Sequence, residues 1–163
     1  MTAFVIDVNV PIVANGHATH ADSKCREACI AVLEKIYAKG TILLDDGMYI
    51  LDEYMQNLSM AGQPGIGDAF MKWVWENQAV TERCERIALT SRGSDPDDFE
   101  EFPNDVDLRF FDRSDRKYVA VALASTKNPE VLNAVDRDWW DHREALERNG
   151  LRLHFLCPQH MRT

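Results

Sequence analysis

Apolar positions along this chain follow two rhythms. Short continuous runs, FVIDVNV (4–10), TILL (41–44), RIALT (86–90), VLNAV (131–135) and LRLHFLCP (151–158), have the length and composition of buried strands. Between them the apolar positions recur every three or four residues, the spacing of a helix with one buried face. The first strand is expected over residues 3–8. A helix over 23–39 places Cys25, Cys29, Val32, Leu33 and Ile36 on one face, with Ser23 to cap it and Gly40 to end it. Asp45, Asp46 and Gly47 turn the chain into a helix over 47–59 whose stripe is Met48, Leu51, Met55 and Leu58. Glu53 lies off that stripe. AGQPGIG (61–67) breaks the chain before a helix over 67–79, with Phe70, Trp73 and Val74 facing inward. DRKYVAVALAS (115–125) reads as a helix opened by Asp115, and residues 139–149 as a last helix that stops at Gly150.

Strands that alternate with helices specify an α/β fold. The expectation is a three-layer α/β/α sandwich with a mainly parallel central sheet of about five strands, built as a single domain over residues 1–163. In such sheets ligands bind beyond the carboxyl ends of the strands. Asp7 lies at that end of the first strand and Asp136 just past the fourth. Asp115 opens a helix expected to start on the same edge, and Glu53 sits in the helix after the second strand.

Composition narrows the function classes. The net charge is −9, which argues against a protein that coats nucleic acid through a broad basic surface. It leaves room for carboxylates clustered on metal ions. Much of the acid falls in SRGSDPDDFEEFPNDVD (91–107), read as a solvated loop. No apolar run approaches the roughly 20 residues that span a bilayer, so no membrane association is expected. The N-terminus carries no basic stretch before its apolar run, so a cytoplasmic location is expected. Of the four cysteines, none forms a C-x-x-C pair, and all are read as reduced packing residues. A zinc site from His17, His20, Cys25 and Cys29 has the right ligand types but no established spacing.

A carboxylate in an apolar run is costly unless something binds it. Several carboxylates brought together repel one another, and a hard divalent cation relieves that repulsion. The ordered set of acids resembles the PIN-domain family of metal-dependent nucleases. FVIDVNV supplies Asp7 with Asn9 after it, and ILDEYMQNL (50–58) supplies Glu53. DRKYVAVALAS supplies Asp115, and NAVDRDWW (133–140) supplies Asp136 with Asp138 as an additional acid. The last motif departs from the family pattern, because Ala134 stands where Thr or Ser is usual.

The resemblance implies that Asp7, Glu53, Asp115 and Asp136 hold one or two Mg²⁺ or Mn²⁺ ions, with Asp138 as a further ligand. Asn9 and Asp112 are accessory, and Asp112 competes with Asp115 as the third acid. It implies hydrolysis of phosphodiester bonds, with RNA favoured over DNA, leaving a 5′-phosphate and a 3′-hydroxyl. Arg116, Lys117 and Arg137 flank the acids as phosphate contacts or as counter-ions. Domains of this kind also dimerise, and some act as toxins held by an antitoxin. A weakly catalytic domain that works through a protein partner is therefore the second function class, with loop 91–107 as its contact surface. A phosphatase-like or receiver-like domain is the third. It lacks the second aspartate of Asp-x-Asp, where Asn9 stands, and any lysine after Lys127. Trp73, Trp75, Trp139 and Trp140 could stack on bases, but their positions favour the core.

Overall fold

The computed structural model describes residues 2–161. Five parallel strands form one sheet in the order β3-β2-β1-β4-β5: β1 (Thr2–Ile6), β2 (Gly40–Asp45), β3 (Cys84–Ile87), β4 (Glu130–Asn133) and β5 (Arg152–Phe155). From β1 the chain steps outward through β2 to β3, then returns to add β4 and β5 on the other side. Right-handed crossovers place the helices of these two excursions on opposite faces. Helices α1 (Asn9–Ala14), α2 (Ser23–Lys39) and α4 (Ile66–Asn77) pack on one another. Helix α5 (Arg116–Ala124) lies against β1, β2 and β4, and α7 (Arg143–Arg148) against β5. Helix α3 (Tyr49–Asn57) touches β2 and α5, and α6 (Arg137–Asp141) leads into α7. The result is the three-layer α/β/α sandwich expected from the alternation, with β1 and β4 side by side at the point where the strand order reverses.

The core runs through both layers and includes Phe4, Val5, Ile6, Leu33, Ile42, Leu43, Phe70, Tyr118, Val131 and Leu132. Several expected boundaries move. Strand β1 stops at Ile6, so Asp7 ends the strand rather than interrupting it. The next residues begin α1, a helix the alternation did not reveal. It has only six residues, and Pro11 sits in its first turn, where no helical N–H partner is required. Asp22, not Ser23, caps α2 by accepting from the Cys25 N–H at 2.8 Å. Asp45 caps α3, taking the N–H groups of Tyr49 and Ile50. The helix expected over 139–149 is two helices broken at His142.

One larger expectation is refined and another is overturned. The segment 91–107 is a largely exposed loop, as expected, but it is anchored to the body of the molecule. Ser91 bridges Phe99 in antiparallel fashion, Phe99 and Phe102 are buried, and Val106–Leu108 form a 3₁₀ turn. Three of its acids have cationic partners distant in sequence: Asp95 pairs with Arg113, Asp98 with Arg116, and Asp105 with Arg148. The cysteines, however, are not all reduced. Cys25 and Cys157 form a disulfide across a sequence separation of 132 residues, while Cys29 and Cys84 are free and buried. Cys29 lies beside that disulfide, in a group that includes neither His17 nor His20, which removes the zinc site. Both histidines are exposed.

Candidate metal centre

The sheet brings three of the expected acids together. The last ladder bond of β1 runs from the Asp7 N–H to the Leu132 carbonyl at 3.1 Å, so Asp7 emerges beside the end of β4. Four residues past Leu132 the chain reaches Asp136, whose carboxylate accepts from the Asp138 N–H and caps α6. Asp115 closes a 3₁₀ turn (Arg113–Asp115) and leads into α5. One oxygen from each of Asp7, Asp115 and Asp136 lies within 4.8 Å of the others.

Each carboxylate is held differently. Asp7 accepts from its own turn at the Asn9 N–H and from the indole N–H of buried Trp139, both at 2.9 Å. Asp115 and Asp136 face each other at close range, and their mutual influence favours a protonated carboxyl in the cluster when no cation is there. The Oδ2 oxygen of Asp115 is buried and has no hydrogen-bond partner. A buried oxygen left without a donor costs free energy comparable to a lost hydrogen bond. Burial pushes Asp7 up to about 7, with the charges of Asp136 and Glu53 adding to the rise. Burial, then the charges of Asp7 and Asp136, raise Asp115 to about 10. Burial also raises Asp136. An all-oxygen donor set with an unused oxygen and mutual repulsion fits a hard divalent cation such as Mg²⁺ or Mn²⁺.

The other expected residues fall outside this group. Glu53 is engaged by the Tyr118 hydroxyl at 2.5 Å and by Lys117 at 3.4 Å, close enough for its charge to act on Asp7. Asp138 accepts from the Asp112 N–H at 2.8 Å and faces His142 at 3.2 Å, so it clamps two turns together. Asp112 is exposed and caps the 3₁₀ turn through Ser114, which leaves Asp115 as the acid that joins the cluster. Asn9 spans the ends of β1 and β4. It donates to Asn133 Oδ1 at 2.5 Å and accepts from the Ala134 N–H at 2.8 Å. Asn133 in turn donates to the Asp136 carbonyl. A backbone N–H and two asparagines thus order the turn where a hydroxyl was expected and Ala134 stands.

The basic residues divide. Arg116 is buried against Asp98 at 3.0 Å, with its guanidinium 4.5 Å from the Phe102 ring centre, so it is a structural counter-ion rather than a phosphate contact. Lys117 is also buried, between Glu53 and the Ser114 carbonyl. Arg137 is exposed. Beside Glu53 opens a cleft of about 260 Å³ lined by Tyr49, Gln56, Phe99, Arg113, Ser114 and Lys117. Sequence reasoning missed Trp139 as the donor to Asp7. The signal was present in NAVDRDWW, where a tryptophan three residues after Asp136 shares its short helix. Compared with protein families, curated proteins and solved structures, the chain matches none.

Proposed function

We propose that this chain is a metal-dependent nuclease that hydrolyses phosphodiester bonds, with single-stranded RNA preferred over DNA. One observation carries the reading. Asp7, Asp115 and Asp136 come from three distant segments and converge at the carboxyl edge of the sheet, and one buried oxygen there is left without a donor. The order of the acidic motifs, which resembles PIN nucleases, supplies the reaction class. Mg²⁺ or Mn²⁺ held by these three residues would contribute Lewis-acid polarisation of a phosphate and activation of water near neutral pH.

The chain's own groups prepare that site. Trp139 and the Asn9 N–H fix the Asp7 carboxylate, and the Asp138 N–H fixes that of Asp136. Their oxygens are therefore oriented before a cation arrives. Glu53, held by Tyr118 and Lys117, adds negative charge at the rim and orders the wall of the adjoining cleft. The carboxyl groups of the cluster are raised and so favour their protonated forms, and a cation that binds there would release protons. A role mainly through a protein partner at segment 91–107 is the weaker reading, because Asp95, Asp98 and Asp105 are already paired within the chain.

The test is cleavage of end-labelled single-stranded RNA and DNA with Mn²⁺, Mg²⁺ or chelator, beside Asp7→Asn. Cutting that needs the cation and is lost in Asp7→Asn is the expected result. Undiminished cutting by Asp7→Asn, or a folded protein that neither cuts nor gains thermal stability with Mn²⁺, would overturn the reading.

A further inference from the structure

The turn that leads towards Asp115 carries a surface unlike the rest of the molecule. Phe110 is 79% exposed, more than any other large apolar side chain among the described residues. Its neighbour Phe111 is buried and sits edge-on against Trp139 at 5.1 Å, the same indole that holds Asp7. Phe111 therefore anchors the turn to the metal centre, while Phe110 faces solvent. A phenyl group kept in water forgoes about 2 kcal/mol of burial, so on this anchored turn an aromatic face stands open to a ligand.

The charges around it point the same way. The Arg109 guanidinium lies 4.8 Å from the Phe110 ring centre, and no carboxylate pairs with it among the described residues. Arg109 lines a cleft of about 520 Å³ together with Arg92, Arg113 and Arg116. Asp98 faces both Arg116 and Arg92, Asp95 offsets Arg113, and Asp105 on the rim is paired with Arg148. In a chain of net charge −9, four guanidinium groups gather on this cleft, and among the described residues Arg109 is the one of the four with no carboxylate against it. An exposed planar ring, an unpaired cation stacked on it and a cleft rich in guanidinium groups match a nucleotide strand. The base stacks on the ring, and the phosphate meets the arginine. A protein partner would need a broader apolar patch than Phe110 and Val106 provide.

We infer that Phe110 and Arg109 form a stacking site for single-stranded nucleic acid that leads the strand towards the carboxylate cluster. The direction of the strand rests on the nuclease reading; the binding itself does not. The test is fluorescence anisotropy of full-length protein with labelled oligouridylate and oligothymidylate of about 12 nucleotides, a length that single-strand sites cover, with divalent metal chelated. Phe110→Ala is expected to weaken binding by about 5- to 100-fold and Phe110→Trp to retain it, with melting midpoints unchanged. Arg109→Ala is expected to weaken binding and lower the salt dependence by about one ion.

Failure of the wild type to bind either oligonucleotide would overturn the inference. So would wild-type affinity in Phe110→Ala and Arg109→Ala, or binding in which polyglutamate competes equally and Phe110 does not matter. Binding that depends on Phe110 in a protein that never cuts would keep this site and remove the nuclease reading. Cleavage that depends on Asp7, with Phe110→Ala binding normally, would do the reverse.

Discussion

At the scale of the residue, the three aspartates set the behaviour of the site. Their carboxyl groups are raised above the ordinary range because burial and mutual charge oppose ionisation. In the unfolded chain they titrate near 3.8. The folded, metal-free protein therefore binds more protons between that value and about 7 for Asp7 or about 10 for Asp115. Stability must fall as pH rises through that window, since the penalty of ionising the cluster is absent below it and complete above it. Asp115→Asn is expected to flatten this slope and, with chelator at pH near 8, to raise the melting midpoint by about 3–6 °C. Thermal melts of both proteins across pH would check it, and parallel slopes would contradict it. The same protons oppose the cation, so Mn²⁺ affinity should increase with pH and its binding should release protons, as calorimetry in buffers of different ionisation heat would show. Trp139→Phe keeps a ring against Phe111 but removes the donor to Asp7. On the proposed nuclease reading it should raise the Mn²⁺ requirement for cleavage by about 10- to 100-fold while the fold persists.

At the scale of the element, the site depends on ties between segments that contribute no ligand. Asn9, in the first turn of α1, holds the end of β4 through Asn133 and Ala134. Asn9→Ala leaves those groups without partners, at a cost of about 1–3 kcal/mol in denaturant unfolding, and loosens the turn that presents Asp136. The segment 91–107 provides the second tie. Asp98 neutralises Arg116, whose side chain is 7% exposed. Asp98→Ala would leave a buried guanidinium uncompensated and should destabilise the protein by about 3 kcal/mol, a loss that Asp98→Glu would partly restore. Little change in Asp98→Ala would mean that Arg116 finds another acceptor.

At the scale of the whole molecule, the disulfide joins the start of α2 to the segment after β5 and so closes most of the chain into one loop. Closing so long a loop restricts the unfolded ensemble and typically stabilises by about 2–4 kcal/mol. A Cys25→Ser, Cys157→Ser double variant should lose about that much in denaturant unfolding, and non-reducing mass analysis of the wild type should find two free thiols. Among the described residues, no helix is long and apolar enough to cross a membrane.

The sequence alone determined the element types and the parallel three-layer fold, because periodicity and strand length are local properties. It also placed Asp7 and Asp136 at strand ends, since apolar runs mark where strands stop. It did not reveal α1, whose six residues are too few to show a helical rhythm. It could not separate Asp115 from Asp112, because both open turns in FDRSDRK, and only packing buries one and exposes the other. Arg116 and Lys117 read as surface cations until the fold supplied Asp98 and Glu53, acids 18 and 64 residues away. The Cys25–Cys157 pairing, the indole of Trp139 on Asp7, and the outward face of Phe110 beside buried Phe111 were likewise decided in three dimensions. The physical reason is common to all of them. A local pattern fixes how a segment folds, whereas burial, charge pairing and ligand geometry depend on which distant segments the sheet order brings to the same edge.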